Sequence, residues 1–414
     1  MRMWWTTSNT SSHPAACRTH RANTMRLLAI SLDDYRSWHH FTAEFESGVT
    51  VLVGRNGVGK TNIAEAIVYL SRLGSHRVTN DSALVRSGCL QANIRARARV
   101  EERDITAEVI LTAGKASVAS VNGNKLTRSR ELLGLVRVVL FSPEDLDLVR
   151  RDPAVRRAFV DELLVARYPR FASVMADFSR ALKQRASLLK SSPSAMKQQS
   201  SRESLETTLD VWDVQFAPLA ARMLLGRLDT LRVMQGHLET RHAQISDSGK
   251  NCSLVYEAYN SHIGKLLADN LDEYGTAHVS EAAATQAYLA DLAERRGDEL
   301  RRGVGLVGPQ RDDVTIMLGE HPAKGYASHG EMWSVVLAMK LGCFDVLREH
   351  HRDDPVLILD DVFAELDVIR RERLAGAIEG VEQVIITVAV ADDVPRQLAS
   401  VSLAIAREGG EADV

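Results

Sequence analysis

The chain has 414 residues, enough for two or three folding units, and its 45% hydrophobic and 25% charged content is that of an ordinary globular protein. Acidic residues outnumber basic ones by 54 to 51, so no global positive field advertises nucleic acid, and any DNA-binding surface has to be a local patch. The four cysteines (Cys17, Cys89, Cys252, Cys343) form no C-x-x-C pair, which argues against structural zinc or a disulfide framework and fits a reducing cytoplasm. No apolar run approaches the roughly 18 residues of a membrane span.

Residues 1–24 are rich in Ser, Thr and Asn and lack periodicity. They read as a disordered extension or a mis-called start, with Met25 as the true beginning. Residues 25–150 read as short strands around one helix. "GVTVLVGRNGVGKTNIAEAIVYLSRLG" is strand, glycine loop and helix, with Ile63, Ile67 and Leu70 at helical spacing. "NIRARARV" alternates strictly and places Arg95, Arg97 and Arg99 on one strand face, more readily a solvated face than a phosphate-binding one. Asn122-Gly123 is a two-residue hairpin signal.

Helix formers dominate residues 151–303. Two long stretches flank a polar tip, "SSPSAMKQQSSRES", and predict an antiparallel helical arm that Pro169 and Pro218 bend or break. Strand and helix alternate again over 304–414, so the predicted α/β fold is split by a helical insertion.

"GRNGVGKT" (Gly54, Arg55, Asn56, Gly57, Val58, Gly59, Lys60, Thr61) matches G-x-x-x-x-G-K-[ST] between strand and helix. The glycines let backbone N–H groups turn toward phosphate oxygens, Lys60 supplies a point charge for the β- and γ-phosphates, and Thr61 offers a ligand to Mg²⁺. "PVLILDD" reads as a buried strand ending at a charged site: Asp360 reaches Mg²⁺, and Asp361 faces the attacking water as general base or orienter. Many nucleotide hydrolases carry the longer Glu in the second place. In "YASHGEMWSVVLAMKLG", Ser328 and Gly330 precede a helix, where a serine is most often only an N-cap. The three motifs in this order are nevertheless the parts of an ATP-binding-cassette head, in which the serine-glycine element reaches the γ-phosphate held by a second copy.

With these motifs in place the chain resembles the RecF family, bacterial recombination mediators related to SMC-type ATPases. The resemblance runs through "LLAISLDDYRSW", "FSPEDLDLVRRDPAVRRAFVDELL", "GPQRDDV" and "LILDDVFAELD", whose paired aspartates are this family's habit. It implies an ABC-type ATPase head with a short arm, binding ATP and Mg²⁺, with Arg36 approaching the nucleotide. It further implies a slow, DNA-stimulated ATPase acting as a switch, an ATP-dependent homodimer, and binding to duplex DNA at gaps and single-strand junctions. RecO, RecR and the recombinase RecA are the implied partners in repair, replication, recombination and the SOS response. Gln310 and His329 depart from the family pattern, which usually has His and Gln or Arg there.

For a DNA face the sequence offers Arg150, Arg151, Arg156 and Arg157 at the arm entry, Lys183, Arg185 and Lys190 along the first arm helix, and Arg295, Arg296, Arg301 and Arg302 before the signature. Each cluster taken singly reads more readily as a solvated face paired with nearby acids. No aromatic-interleaved basic stretch is present, so backbone reading of duplex shape is expected. A transporter ATPase subunit is the first rival, but Ser328 lies 268 residues after Lys60, across an insertion that transport does not explain. A structural SMC protein is the second; a hairpin helix of roughly 35 residues reaches only about 50 Å, and no room remains for a hinge. A zinc-hook ATPase needs a C-x-x-C at the arm tip, which is absent from the sequence.

Overall fold

The computed structural model describes residues 25–195, 199–271, 277–398 and 400–405; the expected extension over residues 1–24 lies outside them. Strands Arg26–Tyr35 (β1), Trp38–Glu44 (β2) and Gly48–Val53 (β3) lead into helix Lys60–Arg72 (α1). Gln91–Val100 (β4), Arg103–Thr112 (β5), Val118–Val121 (β6), Asn124–Lys125 (β7) and Val138–Phe141 (β8) follow. Six of these strands form an antiparallel sheet in the order β2-β1-β4-β5-β6-β7. Along β4, Ala92, Ile94, Ala96 and Ala98 are buried while Arg95 and Arg97 face out. The arginines pair with Glu108, Glu44 and, for Arg99, Asp104, so the stripe is a charge-balanced outer face. Asn122 and Gly123 both take positive φ, 50° and 78°, as the two-residue hairpin turn requires.

Helices Asp147–Arg150 (α2), Pro153–Arg167 (α3), Phe171–Ala195 (α4) and Gln199–Ile245 (α5) come next. Pro169 falls in the break between α3 and α4, as expected. Pro218 does not end its helix: α5 runs through it for 47 residues, about 70 Å at 1.5 Å per residue. The lost backbone hydrogen bond is offset by packing, because Phe216, Ala217, Ala220, Ala221 and Leu224 around it are buried against Phe178 and Ala181 of α4. The expected all-helical insertion also contains a strand. Cys252–Glu257 (β9) precedes helices Ser261–Ala268 (α6) and Glu281–Arg302 (α7), and pairs with Asp313–Leu318 (β10) beside His321–Pro322 (β11).

A short turn, Ala323–Tyr326 (α8), introduces helix His329–His351 (α9), then Val356–Asp360 (β12), Val362–Glu365 (α10), Val368–Ala377 (α11), Gln383–Val388 (β13) and Ser400–Ala404 (β14). The second sheet is all parallel, β14-β3-β13-β12-β8, and draws strands from both halves of the sequence. Every residue of β12 and β13 is buried, which explains their continuous apolar runs. Buried polar groups stitch the two sheets together. The Gln383 side chain accepts from Leu27 N–H at 2.8 Å and donates to Leu27 C=O at 2.8 Å, taking the place of a strand neighbour. Asp353 accepts the Met25 N–H at 2.9 and 2.8 Å and pairs with Arg137.

Candidate functional site

The expected phosphate loop connects β3 to α1 at the carboxyl edge of the parallel sheet, where open α/β sheets bind ligands. Two glycines there are required by geometry. Gly59 caps α1 at φ 117°, and a Cβ on it would come within 2.8 Å of Trp38 Nε1 and 2.9 Å of Ser37 Oγ. Gly57 takes φ 81°. Trp38 Nε1 donates to Gly59 C=O at 3.2 Å, so the indole of β2 braces the loop from outside, a support that the motif alone did not reveal. Arg55, Asn56 and Gly57 are exposed at the tip, with Gly54 and Val58 half-buried. The helix starts without a side-chain cap and with no acid in its first turn, as suits an anion.

Lys60 is 4% exposed, and its Nζ donates to Gly54 C=O at 2.6 Å and Arg55 C=O at 3.3 Å, folding the ammonium back across the loop. Thr61 Oγ1 lies 3.2 Å from Asp360 Oδ1, joining the loop to the end of β12 across 299 residues of sequence. Thr387, at the end of β13, donates to the same Oδ1 at 2.6 Å and accepts the Asp361 N–H at 3.1 Å on its hydroxyl. No motif marks Thr387 in the sequence; its pairing beside Asp360 in adjacent parallel strands gives it this role.

Burial pushes the Asp360 carboxyl up to about 6, opposed by the Thr387 hydrogen bond and reinforced by the charge of Asp361. Asp361 is raised chiefly by burial; Lys60 lowers it, and Asp393, Glu144 and Glu365 raise it. Acidic neighbours therefore outnumber the ammonium around Asp361, although Asp393 also lies 3.8 Å from Arg371. The Thr61 hydroxyl and the Asp360 carboxylate are hard oxygen donors, the set a Mg²⁺ ion prefers. Asp361 sits in left-handed backbone (φ 53°), a conformation strained for most residues but tolerated by Asp, and this turns its side chain out of the strand register.

Arg36, expected at the nucleotide, is committed elsewhere. Its Nε and Nη2 donate to Glu65 at 2.9 and 2.7 Å and its Nη1 to Ala83 C=O at 3.1 Å, so it fastens β1 to α1 beneath the loop. Ser328 N-caps α9 in a reciprocal box with Glu331, at 3.3 and 2.9 Å. Neither Ser328 nor Gly330 is hydrogen-bonded to Lys60, Thr61, Asp360 or Asp361 among the described residues. Both capping partners leave the Ser328 side chain exposed.

The arginines proposed for DNA separate into buried and exposed groups. Arg156 must be withdrawn as a DNA contact: it is 6% exposed and bidentate to Asp313 at 2.9 and 2.7 Å, a buried tie between α3 and β10. Arg185 is likewise buried, between Asp213 and Glu299. Arg157 donates to Asp312 C=O at 2.6 Å. Arg151 pairs with Asp147, Arg301 with Asp298, and Arg296 with Asp210 and Asp213. Arg150 is exposed and lies 2.8 Å from His329 Nδ1; Arg302 is exposed on the last turn of α7.

A phosphate loop, a strand-end aspartate pair and a serine-capped helix on a split parallel sheet define an ATPase head of the ABC type. The RecF/RecN/SMC N terminal domain model matches residues 26–409. The chain belongs to the RecF family. It is 46% identical over 375 residues to the DNA replication and repair protein RecF of Streptomyces avermitilis, covering 91% of this chain and 96% of that one. To the protein of the same description from Cutibacterium acnes it is 44% identical over 372 residues, 89% of this chain and 93% of that one. Among solved structures it is similar to the recombination mediator protein RecF-ATPrS in the RecFOR pathway, with TM-score 0.80, 26% identity, and 92% and 96% of the two chains covered. An Smc head domain from Pyrococcus furiosus shares the fold at TM-score 0.50 and 14% identity, over 92% and 94% of the chains. No helix among the described residues is long and apolar enough to cross a membrane.

Proposed function

We propose that the chain is an ATP-dependent DNA-binding protein of recombinational repair and replication restart. It dimerises on ATP at gapped duplexes or duplex/single-strand junctions and helps load a RecA-type recombinase with RecO- and RecR-type partners. The observation that carries this reading is the convergence of Thr61 and Thr387 on Asp360 beside a braced phosphate loop, while Ser328 stays exposed on a separate helix start. Such a head holds half of a site and leaves the other half to be supplied by a second copy. Apolar side chains exposed next to the motifs favour the same arrangement: Tyr326 before Ser328, Val368 and Ile369 after Asp367, and Val390 after β13.

In this reading the loop N–H groups and Lys60 bind and orient the phosphates, and Thr61 and Asp360 hold Mg²⁺. The bound ion would neutralise charge on the phosphates. Asp361 orients water or takes its proton, and Thr387 fixes the backbone that presents it. A carboxylate shorter than Glu by one methylene fits slow turnover, so that ATP acts as a timer on a dimer closed around DNA.

The test is fluorescence anisotropy on a gapped duplex near physiological salt, with and without ATP and Mg²⁺. ATP tightens binding by the wild type, and Lys60→Met and Ser328→Arg both lose that tightening. Asp361→Asn keeps it while slowing turnover about 10²- to 10⁴-fold. Equal binding with and without ATP, or no binding, overturns the reading.

A further inference from the structure

Tyr326 is 68% exposed although it belongs to a fixed turn. Ala323 is buried, Ala327 N–H donates to Ala323 C=O at 2.9 Å, and Gly325 at φ 86° turns the chain between them. The turn therefore presents the Tyr326 ring at a set place, two residues before the Ser328 cap of α9. His321, also exposed, stacks on it with ring centroids 4.9 Å apart and planes within 10°. Two cations lie at the same turn and helix start. Lys324 reaches back to Arg151 C=O at 3.1 Å, and Arg150 contacts His329 at 2.8 Å. The acid nearest the helix start, Glu331, is already bound by Lys250 at 2.7 Å and by the Ser328 cap.

A flat aromatic pair, held open beside cations, suits a planar base that carries phosphates. We propose that the Tyr326–His321 pair is a stacking platform for the base of the nucleotide bound by a second copy of this chain. The proposal rests on the head-to-head reading given above and deepens it. Ser328 and Gly330 meet the partner nucleotide at its terminal phosphate, and Tyr326 meets the same nucleotide at its base. Recognition in trans then includes the base as well as the charge, so that a triphosphate lacking a base closes the dimer poorly.

The probe is 2-aminopurine riboside triphosphate with Mg²⁺, whose emission falls when its base stacks on an aromatic ring. Dimerisation is followed in parallel by sedimentation velocity. The wild type quenches the probe only at protein concentrations where it dimerises. Tyr326→Ala abolishes the quenching and weakens nucleotide-driven dimerisation about tenfold, with monomer affinity for ATP unchanged. Tyr326→Phe restores both. Ser328→Arg separates the two ideas: if it dimerises on ATP like the wild type, the head-to-head reading falls, and the platform proposal falls with it. If Ser328→Arg blocks dimerisation while Tyr326→Ala quenches and dimerises as the wild type does, the platform alone is overturned. Quenching of a 2-aminopurine-containing single-stranded oligonucleotide through Tyr326, with none of the triphosphate, also overturns it.

Discussion

Single residues in this head are set by what surrounds them more than by their motifs. His76 is an example that no pattern flagged. Both its ring nitrogens are buried without a partner, and burial lowers its pKa to about 4, helped by Arg72 and Lys340 and opposed by Glu65 and Glu144. The folded chain thus keeps His76 neutral where the unfolded chain, titrating at 6.5, takes up a proton. Between those values the unfolded state binds more protons, so stability falls as pH drops from 6.5 toward 4 and is fully present above 6.5. The loss attributable to this residue is about 2 kcal/mol after screening. Urea unfolding across that range checks it: His76→Gln flattens this part of the pH profile.

At the scale of elements, the arm is held by more than its apolar seam. Arg185 on α4 is 1% exposed, donates to Asp213 on α5 at 2.5 Å and to Glu299 on α7 at 2.8 Å, and lies 5.1 Å from the Phe216 ring. One guanidinium thus ties three helices. Replacing it leaves two carboxylates in a buried setting with only Arg296 on Asp213 and the Leu306 N–H on Glu299 as compensation. Arg185→Met is expected to cost about 3 to 5 kcal/mol in denaturant unfolding. Replacing all three charged residues by apolar ones costs less than the single change, because no buried charge then stands alone. The sequence showed Arg185 as one more cation on a long helix; only the packing of α7 across α4 and α5 turned it inward.

At the scale of the whole molecule, the head is a single structure assembled from the two ends of the chain. β3 lies between β14 and β13, and β8 closes the far edge against β12, so neither half can complete the parallel sheet alone. Gln383, 1% exposed, bridges from the parallel sheet to Leu27 in β1 and to Glu46 in the connection between β2 and β3. Gln383→Leu keeps the bulk but strands the Leu27 N–H and C=O. Its expected cost is about 2 to 4 kcal/mol in calorimetric or urea unfolding, felt by both halves together. A loss confined to the first sheet would show that the halves fold separately.

The sequence by itself determined the phosphate loop, the strand-end aspartates, the Ser328 helix start, the Asn122-Gly123 hairpin and the insertion of a helical arm. These features are local: each depends on glycine geometry, apolar periodicity or capping within a few residues. Tertiary structure alone decided that Thr387 joins Thr61 on Asp360, that Arg36 locks to Glu65, that Arg156 and Arg185 are buried, and that β9 interrupts the helices. It also decided that α5 runs on through Pro218. Those outcomes depend on partners 20 to 300 residues away, brought close by packing whose gain in buried apolar surface and paired charge outweighs local preference.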